Sequence, residues 1–134
     1  MRILMTFRAK LLLAFFAVFI ATTAMAHHNM TAAFDFNDRV TLTGTLTKVD
    51  WRNPHIYLEV EAKVAGGATE TWQIEGPAPG FFRVRDFSKA DFDGTVGKTV
   101  TVEVSRARDK SRRGLIRTLT LPNGKVVSAC PQNC

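Results

Sequence analysis

VTLTGTLTKVDWRNPHIYLEVEAKV, residues 40–64, alternates apolar and polar side chains on both sides of an Asn-Pro step. Alternation with period two is the signature of half-buried strands. In the first half, Val40, Leu42 and Leu46 fall on one face, with Gly44 between them. Thr41, Thr43, Thr45 and Thr47 fall on the other, where β-branched side chains suit a pleated surface. The phase then changes, because Val49 and Trp51 are odd-numbered. A strand that switches its apolar face carries a bulge, here expected near Lys48. Gly44 inside the strand points to the same bend. Asn53-Pro54 breaks the run, since proline has no N–H to donate and restricts its predecessor. The second strand follows at once. Ile56, Leu58, Val60, Ala62 and Val64 face in, and His55, Tyr57, Glu59, Glu61 and Lys63 face out.

Upstream, Phe34 and Phe36 are two apart, which suits a short extended piece. Asn37-Asp38 then supplies turn chemistry, and the first long strand is expected to start near Arg39. Downstream, Gly66-Gly67 turns the chain into a third strand over residues 69–75, with Trp72 and Ile74 inward. Residues 77–80, PAPG, end this meander. Helical spacing follows over residues 81–87, with Phe81, Val84 and Phe87 on adjoining faces, and Ser88 with Asp91 three residues on is a helix N-terminus. One short helix, or two turns with a kink, is expected to carry Phe82 or Phe92 into the core. A fourth strand is expected over residues 99–105 and a fifth over 115–121. Pro122-Asn123-Gly124 then turns into a last short piece at residues 125–127.

The order is three strands, a short helix and two strands. This predicts an all-β fold with one short helix, a small five-stranded Greek-key barrel of the OB type. A seven-stranded sandwich would need strands that are not found. The length of 134 residues fits one domain.

That domain is expected to span residues 27–134. Arg2, Arg8 and Lys10 precede an uncharged apolar run over residues 11–21, and Ala24-Met25-Ala26 places small residues before a cut. This is the pattern of a secretory signal peptide over residues 1–26, and the run is short for a membrane span. A periplasmic or secreted protein with no transmembrane segment after cleavage is expected. The formal net charge is +6, from 18 lysines and arginines against 12 acids. Three of those bases lie in the leader, so cleavage halves the net charge. Arg106, Arg108, Lys110, Arg112 and Arg113 cluster in a local basic loop, read first as a hairpin tip and second as a patch for an anionic partner.

His27-His28, Phe34-Asp35, the 40–64 stretch with its W-x-N-P-H segment, Trp72 with Ile74-Glu75, and LTLPNG together resemble an uncharacterised family of small exported bacterial proteins. The resemblance spans most of the chain beyond the leader. It implies export and a small β-rich fold, and it brings no activity. The C-P-Q-N-C tail departs from the family pattern.

Three histidines are present: His27, His28 and His55. Cleavage after Ala26 would make His27 the N-terminus, where its α-amine and imidazole chelate one ion. With His28 or His55 this makes a nitrogen site suited to copper as Cu(II). The plainer reading is a frayed terminus and a strand-end histidine. Trp51, Asn53, His55 and Tyr57 form a second candidate site, with flat aromatic surface and hydrogen-bonding groups for a small polar ligand or peptide. The plainer reading, placed ahead of it, is a strand corner with Trp51 buried and Asn53 serving the turn. Cys130 and Cys134 are read as a disulfide, within or between chains, ahead of a metal role. Their spacing is not that of common zinc or redox pairs. No complete catalytic motif occurs, and paired Glu59 and Glu61 read as solubilising charges. The expected function is a binding or accessory module of the envelope, for a metal ion or small ligand. The alternative is an interaction module for an envelope protein. Nucleic acid is not expected as a partner, because outward aromatics are few and export separates the protein from it.

Overall fold

A computed structural model describes residues 30–64 and 66–129. The chain divides into two units, Met1–Ala32 and Ala33–Cys134. Of the first, only residues 30–32 are among those described, so the leader expected over residues 1–26 lies outside them. Among the described residues no helix is long and apolar enough to cross a membrane.

The second unit holds β1 (Phe34–Asp50), β2 (Tyr57–Lys63), β3 (Thr69–Glu75), α1 (Pro79–Arg83), α2 (Lys89–Asp93), β4 (Thr99–Ala107), β5 (Arg113–Thr120) and β6 (Val126–Ser128). The strands form one sheet in the order β3-β2-β1-β4-β5-β6. Neighbours are antiparallel, and a further parallel pairing of β3 with β5 closes a ring of hydrogen bonds through five strands. The sixth strand, β6, pairs beside the C-terminal half of β5 and lies outside that ring. The expected five strands are therefore six.

β1 explains how one strand can serve two neighbours. Its first part pairs with β4 and its last part with β2. Between Leu46 and Lys48 the register slips by one residue at Thr47, which turns the apolar face from Leu42 and Leu46 to Val49. The bulge thus lies where the phase change placed it. Gly44 sits opposite Ala62, and a Cβ there would lie 2.1 Å from the Glu61 carbonyl oxygen. Only glycine lets the two backbones come so close. The start of β1 corrects the sequence reading. Asn37-Asp38 does not end an extended piece; it is absorbed in a second register irregularity between Phe34 and Arg39, and Phe34 pairs with Ala107.

The core fills the ring. Leu46, Leu58, Val60, Ile74, Val100, Val102, Val104 and Leu119 are buried from the strands. The two short helices between β3 and β4 add Phe82 and Phe92, both fully buried, with ring centroids 5.2 Å apart. α2 starts with a capping box, in which Ser88 Oγ accepts from the Asp91 N–H and Asp91 accepts from the Ser88 N–H. Val84 remains 78% exposed, because α1 ends at Arg83 and no continuing helix turns it inward.

The basic residues on and around the β4–β5 connection are engaged with the protein itself. Lys110 pairs with Asp38 at 2.7 Å, Arg112 with Glu70 at 2.6 Å, Arg113 with Asp109 at 2.9 Å and Arg108 with Asp35 at 3.9 Å. Arg106 lies over the Trp72 ring at 5.6 Å. The loop is a hairpin tip whose charges are largely compensated by acids of β1, β3 and the tip itself.

Candidate ligand-binding site on the outer face of β2 and β3

Alternation along β2 sends Tyr57 and Glu59 to the side opposite the core, and along β3 it sends Gln73 and Glu75 there. Register places Tyr57 opposite Glu75 and Glu59 opposite Gln73. The parallel β3–β5 pairing brings Arg113 beside Gln73. Tyr57, Glu59, Gln73 and Glu75 come from the consecutive strands β2 and β3, and the closing of the ring adds Arg113 from the distant β5.

Tyr57 is 36% exposed and stands between two shallow depressions. The first, of about 210 Å³, is lined by Lys48, Asp50, Arg52, Tyr57, Glu59 and Gln73. The second, of about 220 Å³, is lined by Phe34, Tyr57, Gln73, Glu75, Arg113 and Gly114. Tyr57 and Gln73 belong to both. The Arg52 guanidinium lies 5.3 Å from the Tyr57 ring centroid and pairs with Asp50 at 3.1 Å. Lys48 pairs with Glu59 at 3.3 Å. Partial burial raises the Tyr57 phenol above its ordinary pKa, and the Glu75 carboxylate adds to the rise.

His55 lies at the entrance to β2, and its Nδ1 contacts Oε1 of Glu75. The carboxylate accepts from Nδ1–H in the neutral ring, which leaves Nε2 as the acceptor. Such a carboxylate orients an imidazole for an incoming hydrogen-bond donor or a metal ion.

The four residues singled out as a ligand site divide between two places. His55 and Tyr57 meet Glu75 on the outer face. Trp51 turns to the core, 4.9 Å from Phe92 and 5.6 Å from Phe82 by ring centroids. Asn53 is exposed in the turn with Pro54. Of the proposed copper ligands only His55 is described; His27 and His28 lie outside the described residues, as do Cys130 and Cys134. Among the described residues no group of three or more histidines, cysteines or acids gathers as a metal site. Sequence reasoning missed Gln73 and Glu75, and placed Arg113 only in the basic loop. The first two were visible as the outward alternates of β3, whereas Arg113 reaches the site through a pairing across 40 residues.

No curated protein and no solved structure matches the chain. A family of unknown function, DUF6152, matches residues 16–117. That match takes in β1 to β4 and most of β5, with every residue of the two depressions, and the chain belongs to this family of unknown function.

Proposed function

We propose that this chain is an exported binding module, a five-stranded Greek-key barrel of the OB type that holds a small polar ligand on the outer face of β2 and β3. The barrel reading is supported by the ring β1-β2-β3-β5-β4, by the bent β1 shared between two neighbours, and by helices placed between β3 and β4. In barrels of this type the face of the second and third strands is the usual binding surface. Export to the periplasm or beyond rests on the leader pattern of residues 1–26.

One observation carries the binding reading. The most exposed aromatic ring of the sheet, Tyr57, stands between two depressions lined by an amide, carboxylates and guanidinium groups. An aromatic surface with a few convergent polar groups is the composition of a ligand site. His55, held by Glu75, adds an oriented hydrogen-bonding group beside Tyr57. Nuclear magnetic resonance of the purified protein, expressed with its own leader, tests this. Amino acids, dipeptides and small sugars are the probes. Amide shifts that centre on Tyr57, Gln73 and Glu75, and vanish in Tyr57→Ala, support the reading. Shifts confined to other surfaces would sink it.

A second reading keeps copper. A carboxylate on one ring nitrogen, as Glu75 is on His55 Nδ1, is the usual support of a metal-ligating histidine. His27, with the α-amine that cleavage after Ala26 would free, and His28 are the other nitrogen donors of this reading. Calorimetry with Cu(II) decides it: stoichiometric binding lost when one residue is added ahead of His27 supports the site, and binding indifferent to that extension removes it.

A further inference from the structure

We infer that the ligand of the Tyr57 site is an uncharged glycan, held as two adjacent sugar rings, one in each depression. The inference rests on the binding reading above and names its ligand class. Its first ground is charge. The first depression sets Lys48 and Arg52 against Asp50 and Glu59, and they pair off at 3.3 and 3.1 Å. The second sets Glu75 against Arg113. Arg113 is further engaged with Asp109, and Glu75 with His55. Neither depression presents a net charge, so a phosphate chain or a polycation finds no field to attract it. What remains is a dense set of hydrogen-bonding groups without net charge, which fits hydroxyl groups.

The second ground is shape. The depressions are nearly equal, at about 210 and 220 Å³, and each has room for one six-membered ring with its hydroxyls. They share a wall made of Tyr57 and Gln73. One sugar ring can rest its C–H face against the phenol face that Arg52 leaves open, and its linked neighbour lies beside the Arg52 guanidinium in the first depression, with the planar Gln73 amide between them. Planar carboxylates and guanidinium groups bind neighbouring hydroxyls in pairs, which fixes orientation as well as affinity. The third ground is exposure. A depression open at the surface admits an internal pair of rings from a longer chain, with no need to enclose an end.

Cellobiose, maltose and N,N′-diacetylchitobiose are titrated into the isotopically labelled protein, with the matching monosaccharides, zwitterionic di- and tripeptides, and an oligophosphate alongside. The expected result is that at least one disaccharide shifts amides on both sides of Tyr57, at Asp50 and Glu59 and at Glu75 and Arg113. Its monosaccharide should shift one side or bind more weakly. Affinity should hold within about twofold between low and high salt, because no net charge is screened. Tyr57→Ala should weaken it about tenfold, and Tyr57→Phe much less, since the ring is kept. Circular dichroism confirms that both variants fold. Peptides or oligophosphate moving these amides while every disaccharide leaves them still would overturn the glycan and preserve the Tyr57 site. If no probe moves them, both readings fall. Disaccharide binding unaffected by Tyr57→Ala places the sugar elsewhere and overturns the inference as well.

Discussion

Tyr57 is the single tyrosine of the chain, so its titration can be read alone. Burial disfavours the phenolate most, and the Glu75 carboxylate directly across the strand pair disfavours it further. Alkaline absorbance titration should give one transition with its midpoint above the ordinary value of 10.0. Glu75→Gln should lower that midpoint without restoring the ordinary value, because burial remains. A midpoint that does not move would show that the carboxylate is too well solvated to matter. Asp109 is the opposite case. Ser111 donates to its Oδ1 from both hydroxyl and amide, at 2.6 and 3.0 Å, and Arg113 donates to Oδ2 at 2.9 Å. These contacts stabilise the carboxylate and lower its pKa to about 2. The folded value lies below the unfolded one. The stabilisation is therefore complete above the unfolded pKa and is lost as pH falls through about 2. A carbon-detected titration should find that midpoint, and Ser111→Ala should raise it. An Asp109 midpoint in the ordinary carboxylate range would contradict the turn.

At the scale of the elements, two substitutions separate close approach from capping. Gly44→Ala would drive a methyl group into the Glu61 carbonyl and force β1 from β2. A clash with backbone cannot be relieved by a rotamer change, so the cost should reach the upper end of the overpacking range, about 3 kcal/mol. Ser88→Ala removes the hydroxyl that caps α2 and should cost about 1 kcal/mol. Urea unfolding measures both, and the reverse ranking would refute the account of β1. The same elements show what is legible in a single sequence. β3 was readable to the residue and β2 nearly so, because alternation is local and both strands bury one face only. Phe82 and Phe92 were readable as alternative core candidates, and the Ser88 cap is also local. The helical spacing of Phe81 and Val84 misled, because the helix ends at Arg83 and leaves Val84 exposed. The start of β1 was not, because the turn chemistry of Asn37-Asp38 is overridden by pairing with β4, some 70 residues away. The site was half legible. Alternation put His55 and Tyr57 outward, and the phase change put Trp51 with the apolar face, but only the fold shows which phenylalanines Trp51 meets and that Arg113 stands beside Gln73.

For the molecule as a whole, the decisive feature is the seam between β3 and β5. It rests on three residue pairs, Gln73 with Arg113, Ile74 with Gly114 and Glu75 with Leu115, and on the Gln73 N–H donating to the Arg112 carbonyl at 2.9 Å. Arg112 also pairs with Glu70 across the same seam, but exposed ion pairs contribute at most about 1 kcal/mol. The buried side chains beneath it carry more weight. Ile74 is fully buried and Ile116 nearly so, and both belong to the core that fills the ring. The seam should therefore open only when the core does. Hydrogen exchange tests this directly. The Gln73 amide should exchange as slowly as amides in the middle of the β1–β2 ladder, through global unfolding rather than local fraying. Arg112→Ala should leave that protection nearly intact. Ile74→Ala should cost about 2 to 5 kcal/mol and lower protection at Gln73 together with the rest of the sheet. Fast exchange at Gln73 with a protected β1–β2 ladder would mean that β3 is a free edge. The ring would then be open, and Gln73 and Glu75 would lose the strand that brings Arg113 to them. The architecture and the proposed site thus stand or fall on one backbone amide.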